Sequence, residues 1–135
     1  MRDVIARLSA AVARDPAGMA WVALADALRR ARQLEAAQRV AQRGLGRHPY
    51  AADGHDVLAR IAADGGDLGV ARDEWEMAVR LDPRHVGARL GLSWLALRGG
   101  DVAGARRWWQ AARQSAPDDP RVAAAGRRLE EAARG

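Results

Sequence analysis

One spacing constrains this chain more than any other feature. Pro49, Pro83 and Pro117 stand 34 residues apart, and so do Ala37, Ala71 and Ala105. Leu24, Leu58 and Leu92 keep the same period, as do Gly66 and Gly100, each followed by Asp. Several independent positions on one period define a repeated unit that buries its apolar face against the next copy. Within a unit the steps are helical. Leu24, Ala25 and Leu28 share one face of a first helix, and Ala71 with Trp75, or Ala105 with Trp109, lie at i, i+4 on a second. Gly66-Asp67 and Gly100-Asp101 read as a left-handed helix end followed by a capping carboxylate. Each proline stops a second helix.

The ends of the chain fit the same scheme. Val4, Ile5, Leu8, Ala11 and Val12 form an apolar stripe closed by Asp15-Pro16, as in the second helix of a preceding half unit. Asp118 or Asp119 can cap a last helix with Pro120 in its first turn. That helix has one apolar face (Val122, Ala125, Gly126, Leu129, Ala133) and one polar face, which suits a terminal cap. The expectation is a single all-α domain of about eight antiparallel helices. It comprises a leading helix (1–16), repeats at 17–50, 51–84 and 85–118, and a capping helix (119–135).

These residues resemble the tetratricopeptide repeat family, whose pattern runs W-x2-L-G-x2-Y, then A-x3-F, then P. The first unit reads Trp21-x2-Leu24-Ala25-x2-Leu28, Ala37-x3-Ala41, Pro49. The second reads His55-x2-Leu58-Ala59-x2-Ala62, Ala71-x3-Trp75, Pro83, and the third Arg89-x2-Leu92-Ser93-x2-Ala96, Ala105-x3-Trp109, Pro117. The leading Trp is kept only once, and the family glycine is replaced by Ala25, Ala59 and Ser93. The resemblance covers roughly residues 17–117 and implies a right-handed superhelix, a solenoid that binds other proteins in its concave groove.

Composition narrows the function classes. The chain has 135 residues with 49% apolar residues, and no Cys, Lys, Asn or Phe. Thiolate metal sites, disulfides and thiol nucleophiles are excluded. An Arg or Asp interrupts every candidate membrane span, and the N-terminus has no apolar signal segment, so a cytoplasmic protein is expected. The net charge of +5 is not uniform. Residues 1–48 carry nine Arg against four acids, residues 49–83 three against eight, and residues 84–135 ten against five. A phosphate-tracking surface would keep one sign throughout, so nucleic acid is not the expected partner.

No constellation suggests catalysis. His48, His55 and His85 lie near the Pro49 and Pro83 turns without a metal-ligand spacing, and Gly44-Leu45-Gly46 lacks the lysine of a phosphate loop. Ser93 stands where a packing glycine belongs. The reading is a non-enzymatic module with no cofactor and no metal.

In the resembled family the groove is lined mainly by first-helix residues. Carried over by position, these include Asp26, Arg29, Arg30, Asp56 and Arg60, then Leu90, Trp94, Leu97 and Arg98. Leu90, Trp94 and Leu97 recur at i, i+4, i+7 and form an apolar patch, either open as an anchor for an extended peptide or helix of a partner protein, or covered by the last helix. Some family members grip a C-terminal carboxylate with Lys, Asn and Arg. The equivalent positions here, Val22, Asp26, Val57, Gly87 and Gly91, hold none of these. Arg39, Arg43 and Arg47 form a basic stripe on an outer helix, which Asp73, Glu74 and Glu76 on the next unit's helix could neutralise. Trp108 is a second candidate for an exposed outer residue. Self-association, or assembly into a larger complex through the outer helices, is the alternative reading.

Overall fold

A computed structural model describes residues 1–135 as eight α-helices without a strand. They are α1 (Arg2–Arg14), α2 (Ala20–Arg30), α3 (Leu34–Arg47), α4 (Ala52–Asp64), α5 (Leu68–Leu81), α6 (Val86–Arg98), α7 (Val102–Ser115) and α8 (Pro120–Arg134). The all-α class is as the repeats imply. The helices form two compact units, Met1–Glu74 and Trp75–Gly135, with α5 contributing to each.

The 34-residue period is built into the backbone of three turns. After α2, α4 and α6 the N–H groups of Gln33, Asp67 and Asp101 each donate to the carbonyl five residues earlier, on Leu28, Ala62 and Ala96, at 2.9 Å. The residue before each donor is left-handed: Arg32 at φ 65°, Gly66 at 87° and Gly100 at 83°. This geometry uses up carbonyls that a helix end leaves without partners. In the second and third turns a carboxylate then caps the next helix. Asp67 Oδ1 accepts from the Val70 N–H (3.1 Å), and Asp101 Oδ1 accepts from the Gly104 N–H (2.9 Å).

The unit Met1–Glu74 closes on Leu24, Ala25, Leu28, Ala37, Ala41, Val57 and Ile61, with Ile5, Leu8 and Val12 of α1 packed against them. Val4, expected on the buried stripe of α1, is instead exposed. In the unit Trp75–Gly135, buried Leu92 and Leu95 of α6 join Ala105 and Ala112 of α7 and Val122 and Leu129 of α8. Polar ties cross the same contacts. Buried Ser93 donates its hydroxyl to the Ala105 carbonyl (2.8 Å), which supplies the partner a buried hydroxyl needs. Trp109 Nε1 donates to the Val122 carbonyl (2.8 Å). Asp119 caps α8 by accepting from the Arg121 N–H (2.8 Å). The Arg121 guanidinium, and then this backbone bond, hold the Asp119 carboxyl below the usual carboxylate range.

Three of the five tryptophans, Trp21, Trp75 and Trp109, pack where glycines make room. A Cβ on Gly44 or Gly54 would run into the Trp21 indole, and one on Gly91 would run into Trp75. A Cβ on Gly126 would come within 2.8 Å of Trp109. The bulk also changes helix from repeat to repeat. In the first, Trp21 stands on the first helix opposite a small Ala41 on the second. In the others, Trp75 and Trp109 stand on the second helix, and the position of Trp21 is taken by His55 and Arg89. Those two make polar ties. The His55 ring lies 2.6 Å from Glu74 Oε2 and 2.8 Å from the Pro49 carbonyl, and Arg89 Nη1 donates to the Ala111 carbonyl and Ser115 Oγ at 2.8 Å.

The first turn is the weakest of the three. Arg32 adopts a left-handed conformation that costs a residue with a Cβ about 1–2 kcal/mol, and Gln33 provides no side-chain cap for α3. Arg32 also lies 3.7 Å from Asp64, but this guanidinium is largely exposed, so the pair adds little. The double change Arg32→Gly, Gln33→Asp should therefore raise stability by about 1–2 kcal/mol in urea unfolding. A lower midpoint would show that the turn is not limited by its sequence.

Candidate functional site

The charged first-helix residues of the unit Met1–Glu74 are turned on one another. Asp26 Oδ1 accepts from Arg29 Nε (3.0 Å) and Nη2 (2.9 Å), and its Oδ2 lies 3.1 Å from Arg30 Nε. Arg29 Nη1 reaches from α2 to Asp64 Oδ2 at the end of α4 (3.0 Å). Partial burial works against the Arg29 charge, but the bonds to Asp64 and Asp26 outweigh it, so its pKa lies above the ordinary arginine value. On α4, Asp56 is nearly buried and lies 3.3 Å from Arg60 Nε. Asp26, Arg29, Arg30, Asp56 and Arg60 are thus internally compensated, with Arg30 the most open of the cations.

The second set lies on α6. This helix is apolar on nearly every side. Ala88, Leu92 and Leu95 face the core, while Leu90, Trp94 and Leu97 are only partly buried. Trp94 rests edge-on against buried Trp75, with ring centres 6.4 Å apart and planes at 74°. The exposed Arg98 guanidinium sits 5.1 Å from the Trp94 ring centre. The edge contact and the cation over its face limit the motion of the indole, and the Arg98 charge stays at the rim.

The basic stripe of α3 is a third feature. Arg39, Arg43 and Arg47 are exposed and line one side of a cleft of about 460 Å3, together with Val12 and Pro16 from the α1 end and Trp21 and Leu24 of α2. None of the three forms an ion pair or a side-chain hydrogen bond. Of the acids expected to neutralise them, the two in the same unit, Asp73 and Glu74, form no ion pair with the stripe. Glu74 is held by His55. Trp108, expected to be exposed, is partly buried. The histidines are structural. His48 stacks on Trp21 and lies 2.7 Å from the Ala17 carbonyl, and His85 Nδ1 accepts from the Ala88 N–H (3.0 Å).

A family model for the tetratricopeptide repeat matches residues 57–120. The chain has the tetratricopeptide-repeat fold, and residues 57–120 carry the family's sequence pattern. No curated protein matches it in sequence. Among solved structures it is similar to MamA, with 20% identity and a TM-score of 0.70 over 84% of this chain and 67% of MamA. It is also similar to the Yersinia enterocolitica type III secretion chaperone SycD, solved with a peptide of the translocator YopD. There the identity is 16% and the TM-score 0.70, over 83% of this chain and 86% of SycD. A tetratricopeptide repeat protein from Parabacteroides merdae shares 17% identity with a TM-score of 0.71 over 95% of this chain, which spans 52% of that protein. Identities this low establish a shared fold. No helix of the chain is long and apolar enough to cross a membrane.

Arg29 and Arg60, placed in the groove by position in the repeat, are each paired with aspartates. The signal was present, since Asp26 precedes Arg29 and Arg30 by three and four residues, and Asp56 precedes Arg60 by four. The bond from α2 to Asp64 had no such local signal. Asp64→Ala should lower stability by about 0.5–1 kcal/mol at low salt, as fits a partly screened pair. The loss should shrink in 0.5 M salt, where the screening length falls to a few Å. Equal unfolding midpoints at low salt would show that the network adds nothing.

Proposed function

We propose that this chain is a non-catalytic adaptor that holds a peptide segment or helix of a partner protein on the first-helix side of its repeats. The observation that carries the reading is the second apolar face of α6, where Leu90, Trp94 and Leu97 keep exposed surface although the opposite face already fills the core. Trp94 is the anchor. It is a large ring already restrained by Trp75 and Arg98, so little side-chain freedom is lost when a partner covers it. Arg98 is free to meet a carboxylate at the edge of the apolar contact, where partial desolvation strengthens the pair. Within the unit Met1–Glu74, taken by itself, Asp26, Arg29, Arg30, Asp56 and Arg60 form a mixed-sign, nearly neutral surface. It favours partners that bring their own apolar side chains over those that bind by charge alone. SycD, of the same fold, was solved with a peptide of its partner, which lends support to a peptide or helix as the ligand here.

The test is affinity capture from a lysate of the source organism with the native chain and with Trp94→Ala, followed by titration of the captured partner against both. Loss of a buried aromatic anchor should weaken binding by about 30-fold, equivalent to about 2 kcal/mol. Circular dichroism should report an unchanged helix content. A partner held by both proteins with affinities within about twofold would remove Trp94 as the anchor and move the interaction off α6.

A further inference from the structure

The cleft bounded by α1, α2 and α3 has three properties that together specify an occupant. Its depth is apolar, with Trp21 and Leu24 nearly fully buried and Val12, Pro16 and Val40 around them. No carboxylate lines it. Its charged side consists of Arg39, Arg43 and Arg47, exposed and without internal partners. The contrast within the same unit is the informative part. Arg29, Arg30, Arg32 and Arg60, on or just after the first helices, all meet an aspartate, whereas the arginines of α3 do not.

The spacing of the three cations decides between ligand types. At 1.5 Å per residue they recur about every 6 Å along α3. A single anionic head group is met by donors that converge on one point, and these are spread along a line instead. Carboxylates at i, i+4, i+8 on a neighbouring helix recur with the same step and can meet the three guanidiniums in register. We propose that this cleft seats an acidic amphipathic helix of a partner protein. Its apolar stripe enters beside Val12 and Val40, and its acidic stripe runs along Arg39, Arg43 and Arg47. No two acidic residues among residues 1–135 stand four apart, so none of the eight helices described presents such a stripe, and the proposal commits to a partner protein as its source. The site is separate from the α6 face, since its lining residues all belong to the unit Met1–Glu74.

The probe is a fluorescently labelled helical peptide with glutamates at i, i+4, i+8 beside a leucine stripe, read by anisotropy against the full chain. A shuffled peptide of the same composition, phosphatidylglycerol vesicles and oleate are run in parallel. The patterned peptide should bind saturably and the shuffled one at least about tenfold more weakly, a difference of about 1.4 kcal/mol. Arg39→Gln, Arg43→Gln, Arg47→Gln should weaken the patterned peptide by tenfold or more and flatten the salt dependence. Ala13→Glu, which places a carboxylate at the exposed edge of the cleft, should also weaken it. Trp94→Ala should leave it unchanged, which separates this site from the α6 face. Equal binding of patterned and shuffled peptides would overturn the proposal. So would indifference to the triple variant, or saturable binding of oleate or vesicles in place of the peptide.

Discussion

The packing of an indole against a helix backbone stripped of its side chain is the contact on which the rest of the structure depends. Trp21 presses on Gly44 and Gly54, Trp75 on Gly91, and Trp109 on Gly126. A tryptophan brings more apolar area than any other side chain, but its shape fits between two helices only if one of them gives way. Glycine provides that room at a cost of about 1 kcal/mol in helix propensity. In the unit Trp75–Gly135 the same contact also sets the proposed binding face. Trp75 lies against Gly91 on one side and meets Trp94 edge-on, so the surface indole takes its place from a core residue.

Charge is handled in two ways within the unit Met1–Glu74. Around Asp26 and Asp64 every first-helix arginine is matched by a carboxylate, which raises the Arg29 pKa and leaves a nearly neutral surface. Along α3 the arginines stay unmatched beside an apolar cleft. The net charge of +5 is therefore a poor guide to this molecule. Charges that form internal pairs have little left to offer a partner, while those that do not are set along one helix edge. This arrangement gives a repeat module two chemically different surfaces from one basic composition.

Most of the fold could be read from the sequence because it is written in periods. The prolines, the alanines and the Gly-Asp pairs recur every 34 residues, and each reports a local backbone event that the structure repeats with the same hydrogen bonds. The turn at Arg32 was harder to see, because its left-handed conformation is imposed by the repeat and not by a glycine. The glycine sites were legible only in retrospect. Gly44, Gly54, Gly91 and Gly126 look irregular until each is paired with its tryptophan, and those pairings join residues distant in sequence. The apolar face of α6 followed from helical spacing. The cleft between α1 and α3 did not, because it depends on how three helices diverge. The stripe Arg39, Arg43, Arg47 was visible, but the apolar floor beneath it was not.

The claim that tryptophan–glycine complementarity holds the repeats together, and through Trp75 presents the α6 face, is tested most directly by a double-mutant cycle. Trp75→Phe, Gly91→Ala and the double variant would be compared with the native chain in urea unfolding. The smaller ring should relieve the overlap created by the added methyl group. The account predicts a double variant more stable than the sum of the single changes by about 1–3 kcal/mol. Additivity to within about 0.5 kcal/mol would mean that the two residues do not constrain each other, and would contradict the account.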